Sequence, residues 1–180
     1  MASIYLQPHF PNTYNEEEDY LFLKLDVVVR KATLDDLNAV IAINREALPE
    51  NYHYDFFLRI LQNYNDLFYV AEYNGEIIGY IMCRVEWGLP HIGFGLVSKG
   101  HIVSLAVRTP YRRRGVASRL LEAVHNKMKQ MGIKEAFLEV RVNNIPAIKL
   151  YEKFGYRVVR RIPGYYADGM DGYLMSLSLS

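Results

Sequence analysis

The stretch that decides the fold is "HIVSLAVRTPYRRRGVASRLLEAV", His101–Val124, in which an apolar run meets three arginines, a glycine and a striped segment. The first part, rich in β-branched and apolar residues, predicts a strand. After it, Val116, Leu120, Leu121, Val124 and Met128 recur at helical spacing, with Gly132 placed to end the helix. A strand feeding a helix through a glycine makes an anion cradle. The first backbone N–H groups of a helix have no intrahelical partner, and the helix dipole adds positive potential there. Gly115 removes a Cβ from the ligand's path, Ala117 keeps the next turn slim and Ser118 adds a hydroxyl. Arg112, Arg113 and Arg114 surround the cradle with diffuse positive charge.

Composition separates one small phosphate group from a long polyanion. The formal net charge is +1, without the basic excess of a nucleic-acid binder, so a local basic cluster indicates a small anionic partner. At 180 residues, 51% of them hydrophobic, the chain suits one domain with a well-buried core. The single cysteine, Cys83, sits in the apolar run "EIIGYIMCRV" and reads as a small core residue in a reducing compartment. No apolar stretch approaches the ~20 residues of a membrane span. The N-terminus lacks the basic-then-apolar pattern of a secretion signal, so the expected location is cytoplasmic.

Residues 1–25, with two prolines and the acidic run "NEEED", read as an N-terminal arm outside the fold; residues 26–180 read as one domain. Val27–Arg30 predicts a strand. Thr33 and Asp36 form a capping-box variant ahead of a helix carrying Leu37, Val40, Ile41 and Asn44, which ends where Pro49 restricts Leu48. "YDFFLRILQNY" predicts a second helix, and "LFYVAEYNGEIIGYIMCRVEW" two strands about an Asn-Gly turn. A loop with four glycines is expected from Gly88 to Gly100, so that the next strand starts at His101. "EAFLEVRV" predicts another strand, and "NNIPAIKLYEKFG" a short helix capped by Asn144. "YRVVRRI" and "DGYLMSLSL" close the fold. The class is mixed α/β (α+β), a mixed central sheet of about seven strands flanked by about four helices.

Arg112-x-x-Gly115-x-Ala117 is neither a Walker nor a Rossmann loop. It resembles the pyrophosphate motif of the GNAT superfamily of acyl-CoA-dependent N-acetyltransferases. With "AFLEVRVNNIPAIKLYEKFGY", "LPENY" and "GYYADGMDGYLM" in order, the chain from about Val27 to Leu177 is similar to the Nα-terminal acetyltransferases. The likeness covers ribosomal-protein alanine acetyltransferases and NatA-type catalytic subunits, and above all the archaeal single-chain form.

The resemblance implies a GNAT fold with a splayed parallel strand pair, acetyl-CoA as cosubstrate and no required metal. Leu105, Ala106 and Val107 would pair with the acetyl and pantetheine groups like an added strand. Backbone from Arg113 through Arg114, Gly115, Val116 and Ala117 to Ser118 would hold the pyrophosphate, while Asn144, Tyr151, Glu152 and Lys153 would line the rest of the cofactor. Glu139 would be the base, His101 would share a water or a divalent ion with it, and Tyr151 would protonate the departing thiolate. Glu50, Tyr52, Tyr165 and Tyr166, with Leu105, would form the peptide mouth, where Glu50 could assist deprotonation.

The chemistry suits an α-amine. Its reference pKa is about 7.7–8.0 against roughly 10.4 for lysine, so deprotonating lysine costs about 3.3 kcal/mol more. Glu139 alternates with Leu138 and Val140 and therefore faces away from them. The expected reaction is direct attack, in a ternary complex, by protein N-termini of broad specificity (Ser, Ala, Thr and Met starts). An auxiliary subunit or the ribosome is a further expected partner; nucleic acid and membrane are not. The alternatives are acetylation of lysines or small amines, and a non-catalytic acyl-CoA-binding module.

Overall fold

The computed structural model of the protein describes residues 26–179; the N-terminal arm expected at 1–25 lies outside them. Strands β1 (Val28–Lys31), β2 (Phe68–Tyr73), β3 (Glu76–Gly88), β4 (Val97–Val107), β5 (Glu135–Arg141), β6 (Arg157–Ile162) and β7 (Gly172–Ser178) form one sheet in the order β1-β2-β3-β4-β5-β7-β6. Every neighbouring pair is antiparallel except β4 and β5. Helices α1 (Leu37–Ala47) and α2 (Tyr54–Tyr64) share one face with Phe68, Val70 and Tyr80. Helices α3 (Val116–Gln130) and α4 (Ile145–Lys153) share the other with Ile78, Ile81 and Leu138. No helix among the described residues is long and apolar enough to cross a membrane.

Local chemistry explains most of the boundaries. The Asp36 carboxylate accepts from the Thr33 N–H at 2.8 Å and the Thr33 hydroxyl at 2.9 Å, and Arg30 clamps it with two further bonds. This stops the chain as a short 3-10 turn, Leu34–Asp36, before α1 begins. At the other end of α1, Leu48 is extended ahead of Pro49, as the proline requires. Asn74 and Gly75 both take positive φ, the geometry of the tight hairpin turn between β2 and β3.

The glycine-rich loop is shorter than the sequence suggests. β3 runs to Gly88 and β4 starts at Val97, with Gly88 paired to Val97 and Val85 to Gly100, so His101 lies inside a strand. Gly100 serves packing, not turning. A Cβ there would sit 2.6 Å from the Met128 sulfur on α3, and Met128 is fully buried. Gly100→Ala is expected to destabilise the protein by about 1–3 kcal/mol through overpacking, read as a lowered Tm with an unchanged fold.

Two features of β4 prepare the site. Met82 pairs with Ser104 while Cys83 pairs with Ile102, leaving Val103 as a bulge that bends the strand. β4 and β5 are paired only where Lys99–His101 meet Glu135–Phe137. Beyond that point they diverge, and the β5-facing backbone edge of Leu105–Val107 is left without a strand partner.

Candidate active site

The divergence of β4 from β5 opens a groove of about 670 Å³, a size suited to a small-molecule ligand. Leu105, Ala106 and Val107 form one wall; Arg113, Gly115, Val116, Ala117 and Ser118 form its end; Asn144, Tyr151 and Lys153 lie along α4. Arg114 and Glu152, expected beside the same ligand, do not line the groove.

The end of the groove is built for an anion. Gly115, the residue capping α3, has φ +79°, and Arg113 has φ +63°. Left-handed backbone at a non-glycine residue such as Arg113 carries strain, and it lies two residues before the glycine that starts the helix. Arg112 also lines the groove, and its Nε–H donates to the Val107 carbonyl at 2.9 Å, tying the cradle to the end of β4. Across the groove, Asn144 Oδ1 accepts from the Ala147 N–H and starts α4, which carries Tyr151 into the wall. Burial pushes the Tyr151 phenol well above its ordinary pKa, so it is protonated at neutral pH.

The remaining polar residues gather on the α1–α2 face of the sheet. His101 Nε2 meets Glu139 Oε2 at 2.7 Å, a direct bond where the sequence suggested a shared water or ion. The imidazole lies flat on Phe137, with ring centroids 4.5 Å apart and planes 2° from parallel. Burial pushes the Glu139 carboxyl up. The bonds from His101 and Tyr165 and the charge of Arg84 outweigh that and hold it below the usual carboxylate value. Tyr165 is affected oppositely: burial and the neighbouring Glu139 charge push its phenol up to about 12. Among the described residues, no group of three or more His, Cys, Asp or Glu side chains is placed to hold a metal ion.

Around this pair stands a mouth made of two loops and one arginine. Arg141, two residues beyond Glu139 on β5, donates to Glu50 through Nε at 3.0 Å and again through Nη2. Its Nη1 reaches Asp168 at 2.7 Å, and its guanidinium lies 4.2 Å from the Tyr166 ring centroid. Glu50 comes from the loop after α1, and Asp168 and Tyr166 from the loop between β6 and β7. One cation therefore ties both loops to the strand bearing Glu139. Tyr52, on the first loop, stacks on Phe56 at 4.5 Å and is pushed up by burial and the charges of Glu50 and Glu139. Tyr165 and Tyr166 meet edge to face at 5.0 Å.

Apart from Arg114 and Glu152, the residues picked from sequence lie in the groove or the adjoining polar mouth. Sequence reading missed Arg84, Glu86, Phe137, Arg141 and Asp168. A signal existed for two pairs: Arg84 and Glu86 alternate in "CRVEW", and Arg141 follows Glu139 at strand period in "EVRV".

A splayed parallel pair, an anion-cradling helix start and a carboxylate-centred mouth are the parts of an acyl-CoA-dependent N-acyltransferase. Residues 37–156 match the acetyltransferase (GNAT) family, and the chain belongs to that family. It is 51% identical over 160 residues to the N-alpha-acetyltransferase of Sulfolobus acidocaldarius, a match covering 87% of this chain and 95% of that one. It is 40% identical over 156 residues to the Arabidopsis thaliana catalytic subunit NAA10 of the N-terminal acetyltransferase A complex, covering 85% and 78%. Its fold superposes with a TM-score of 0.74 on Arabidopsis thaliana Naa50 in complex with the bisubstrate analogue CoA-Ac-MVNAL, at 28% identity over 84% of this chain and 98% of that one.

Proposed function

We infer that the protein transfers the acetyl group of acetyl-CoA to the free α-amino group of protein N-termini. The observation that carries this reading is Glu139: a carboxylate held in its ionised form by His101 and Tyr165, at a mouth next to the groove. The groove suits the cosubstrate. Its cradle is open at Gly115, where an added Cβ would meet nothing within 4 Å, and the start of a helix offers unpaired N–H donors to a pyrophosphate. The unpaired edge of Leu105–Val107 can bond an extended pantetheine arm as a further strand would.

When bound, acetyl-CoA supplies an activated acyl thioester. The α-amine attacks the thioester carbonyl as its free base, and as the N–C bond forms Glu139 accepts the proton the nitrogen sheds, directly or through one water, while His101 keeps its carboxylate aimed. Tyr151, protonated and in the groove wall, donates to the departing sulfur and is reprotonated from solvent. No residue of the chain is acylated on this reading. Glu50 is less free to take a proton from the substrate because its carboxylate is engaged twice by Arg141. A carboxylate of low basicity suits an α-amine, a detectable fraction of which is already neutral near pH 7, and suits lysine poorly.

The mouth supports broad specificity: tyrosines from two loops can bond a peptide backbone without reading its side chains. Ser, Ala, Thr and Met starts are the expected substrates. An auxiliary subunit or the ribosome would deliver nascent chains, a role suggested by the relative that is the catalytic subunit of a complex.

The deciding experiment incubates the protein and acetyl-CoA with peptides beginning Ser, Ala, Met-Leu and Met-Glu, and with Nα-blocked lysine peptides. Transfer to the free N-termini is expected; transfer confined to the blocked peptides would overturn the reading. A second expectation concerns Tyr151. Tyr151→Phe should lower kcat by about a hundredfold, the low end of general-acid contributions, with little change in peptide KM.

A further inference from the structure

The run Arg84-Val85-Glu86 lies on β3 and does not line the groove. The register pairs Arg84 with His101 and Glu86 with Lys99, so alternation sends both side chains to the His101 face. Arg84 holds Glu86, its Nε and Nη2 each 2.8 Å from Glu86 Oε1. The same Oε1 lies 3.5 Å from His101 Nδ1. That nitrogen is buried and makes no hydrogen bond, an unusual condition for a ring nitrogen beside the reacting centre.

The imidazole therefore stands between two carboxylates, Glu139 at Nε2 and Glu86 at Nδ1. A carboxylate in its ionised form only accepts. At 2.7 Å from Glu139, Nε2 must carry a proton, because a bare nitrogen would set a lone pair against an anion. Nδ1 faces Glu86 Oε1 at 3.5 Å, and by the same rule that anion attracts the ring when Nδ1 carries a proton as well. Phe137 stacks on the ring and fixes its plane without choosing which nitrogen points where.

We propose that Glu86, held by Arg84, is a positioning residue for the transfer reaction: it acts through His101 Nδ1 to keep Nε2–H aimed at Glu139. This rests on the acetyl-transfer reading above and adds to it a residue outside the groove. Its side chain is 34% exposed against 12% for His101 and 16% for Glu139. The three form a row that runs from the more exposed Glu86 through His101 to the base.

The test is a double-mutant cycle on kcat, with wild-type transfer to an N-terminal serine peptide measured first. Failure of that first measurement bears on the reaction and not on Glu86. Glu86→Gln keeps the shape and removes the charge. It is expected to lower kcat about tenfold, the size of a coupled contact. The KM for acetyl-CoA and the Tm should stay within error of wild type. In a His101→Ala background the same substitution should cost less than twofold, because the ring it acts through is gone; His101→Asn provides the same background if alanine unfolds. Full kcat in Glu86→Gln would overturn the proposal, and so would an equal loss in both backgrounds. A loss accompanied by a lowered Tm and a raised acetyl-CoA KM would reduce Glu86 to a structural contact and overturn it as well.

Discussion

Glu139→Gln lowers kcat by about two to three orders of magnitude, within the range that a positioned base contributes. Glutamine can still accept from His101 Nε2, so the pair's geometry survives while its basicity disappears. The KM for acetyl-CoA should change little, because Glu139 lies outside the groove wall. The pH profile gives an independent check. The Glu139 carboxyl is held below its usual value, so it remains ionised throughout the window in which the α-amine loses its proton. In wild type, kcat/KM should therefore climb between about pH 6 and pH 8 with the free-amine fraction alone. Stability follows the same sign. A depressed folded-state carboxyl contributes fully above the unfolded value and loses that contribution as pH falls through the folded one. The His101–Glu139 pair is therefore expected to weaken the fold on the acid side and not near neutrality.

Arg141→Ala raises the peptide KM by about one to two orders of magnitude, the range set by losing hydrogen bonds to charged groups. The substitution leaves Glu50 without the cation that engages it twice, frees Asp168, and removes the guanidinium beside Tyr166. Both loops of the mouth lose their common anchor, while the groove, built from β4, α3 and α4, keeps its walls. The acetyl-CoA KM should accordingly stay within about twofold. Arg141→Lys should restore only part of the loss, because an ammonium lacks the planar fork that serves Glu50 and Asp168 at once. Steady-state kinetics with each substrate varied in turn separates this outcome from a general loss of folding.

Much of the architecture was legible because local chemistry sets it. The stripe Val116, Leu120, Leu121, Val124 and Met128 predicts α3, and all of these residues are buried. Asn-Gly predicts the β2–β3 turn, and Asn144 caps α4 as read. The misreading at Gly88–Gly100 has a plain cause. Glycines signal turns when nothing else is known, but Gly100 is required by the Met128 side chain, which is 28 residues away in the chain. His101 therefore sits within a strand, set against Phe137 by the parallel pairing of β4 with β5.

For this protein, the amino-acid sequence determined the elements, their order and the helix-start cradle at Gly115, because these depend on periodicity, capping and backbone freedom over a few residues. The family motifs also pointed to Glu139, His101 and Tyr151. Tertiary structure alone decided how those residues work together. Strand register placed Arg84 and Glu86 beside His101, and the approach of two distant loops to β5 made Arg141 the anchor of the mouth. The physical reason is range. A cap or a turn is settled by neighbours in the chain, whereas an ion pair between Glu50 and Arg141 exists only after the sheet has brought residues 91 positions apart within hydrogen-bonding distance.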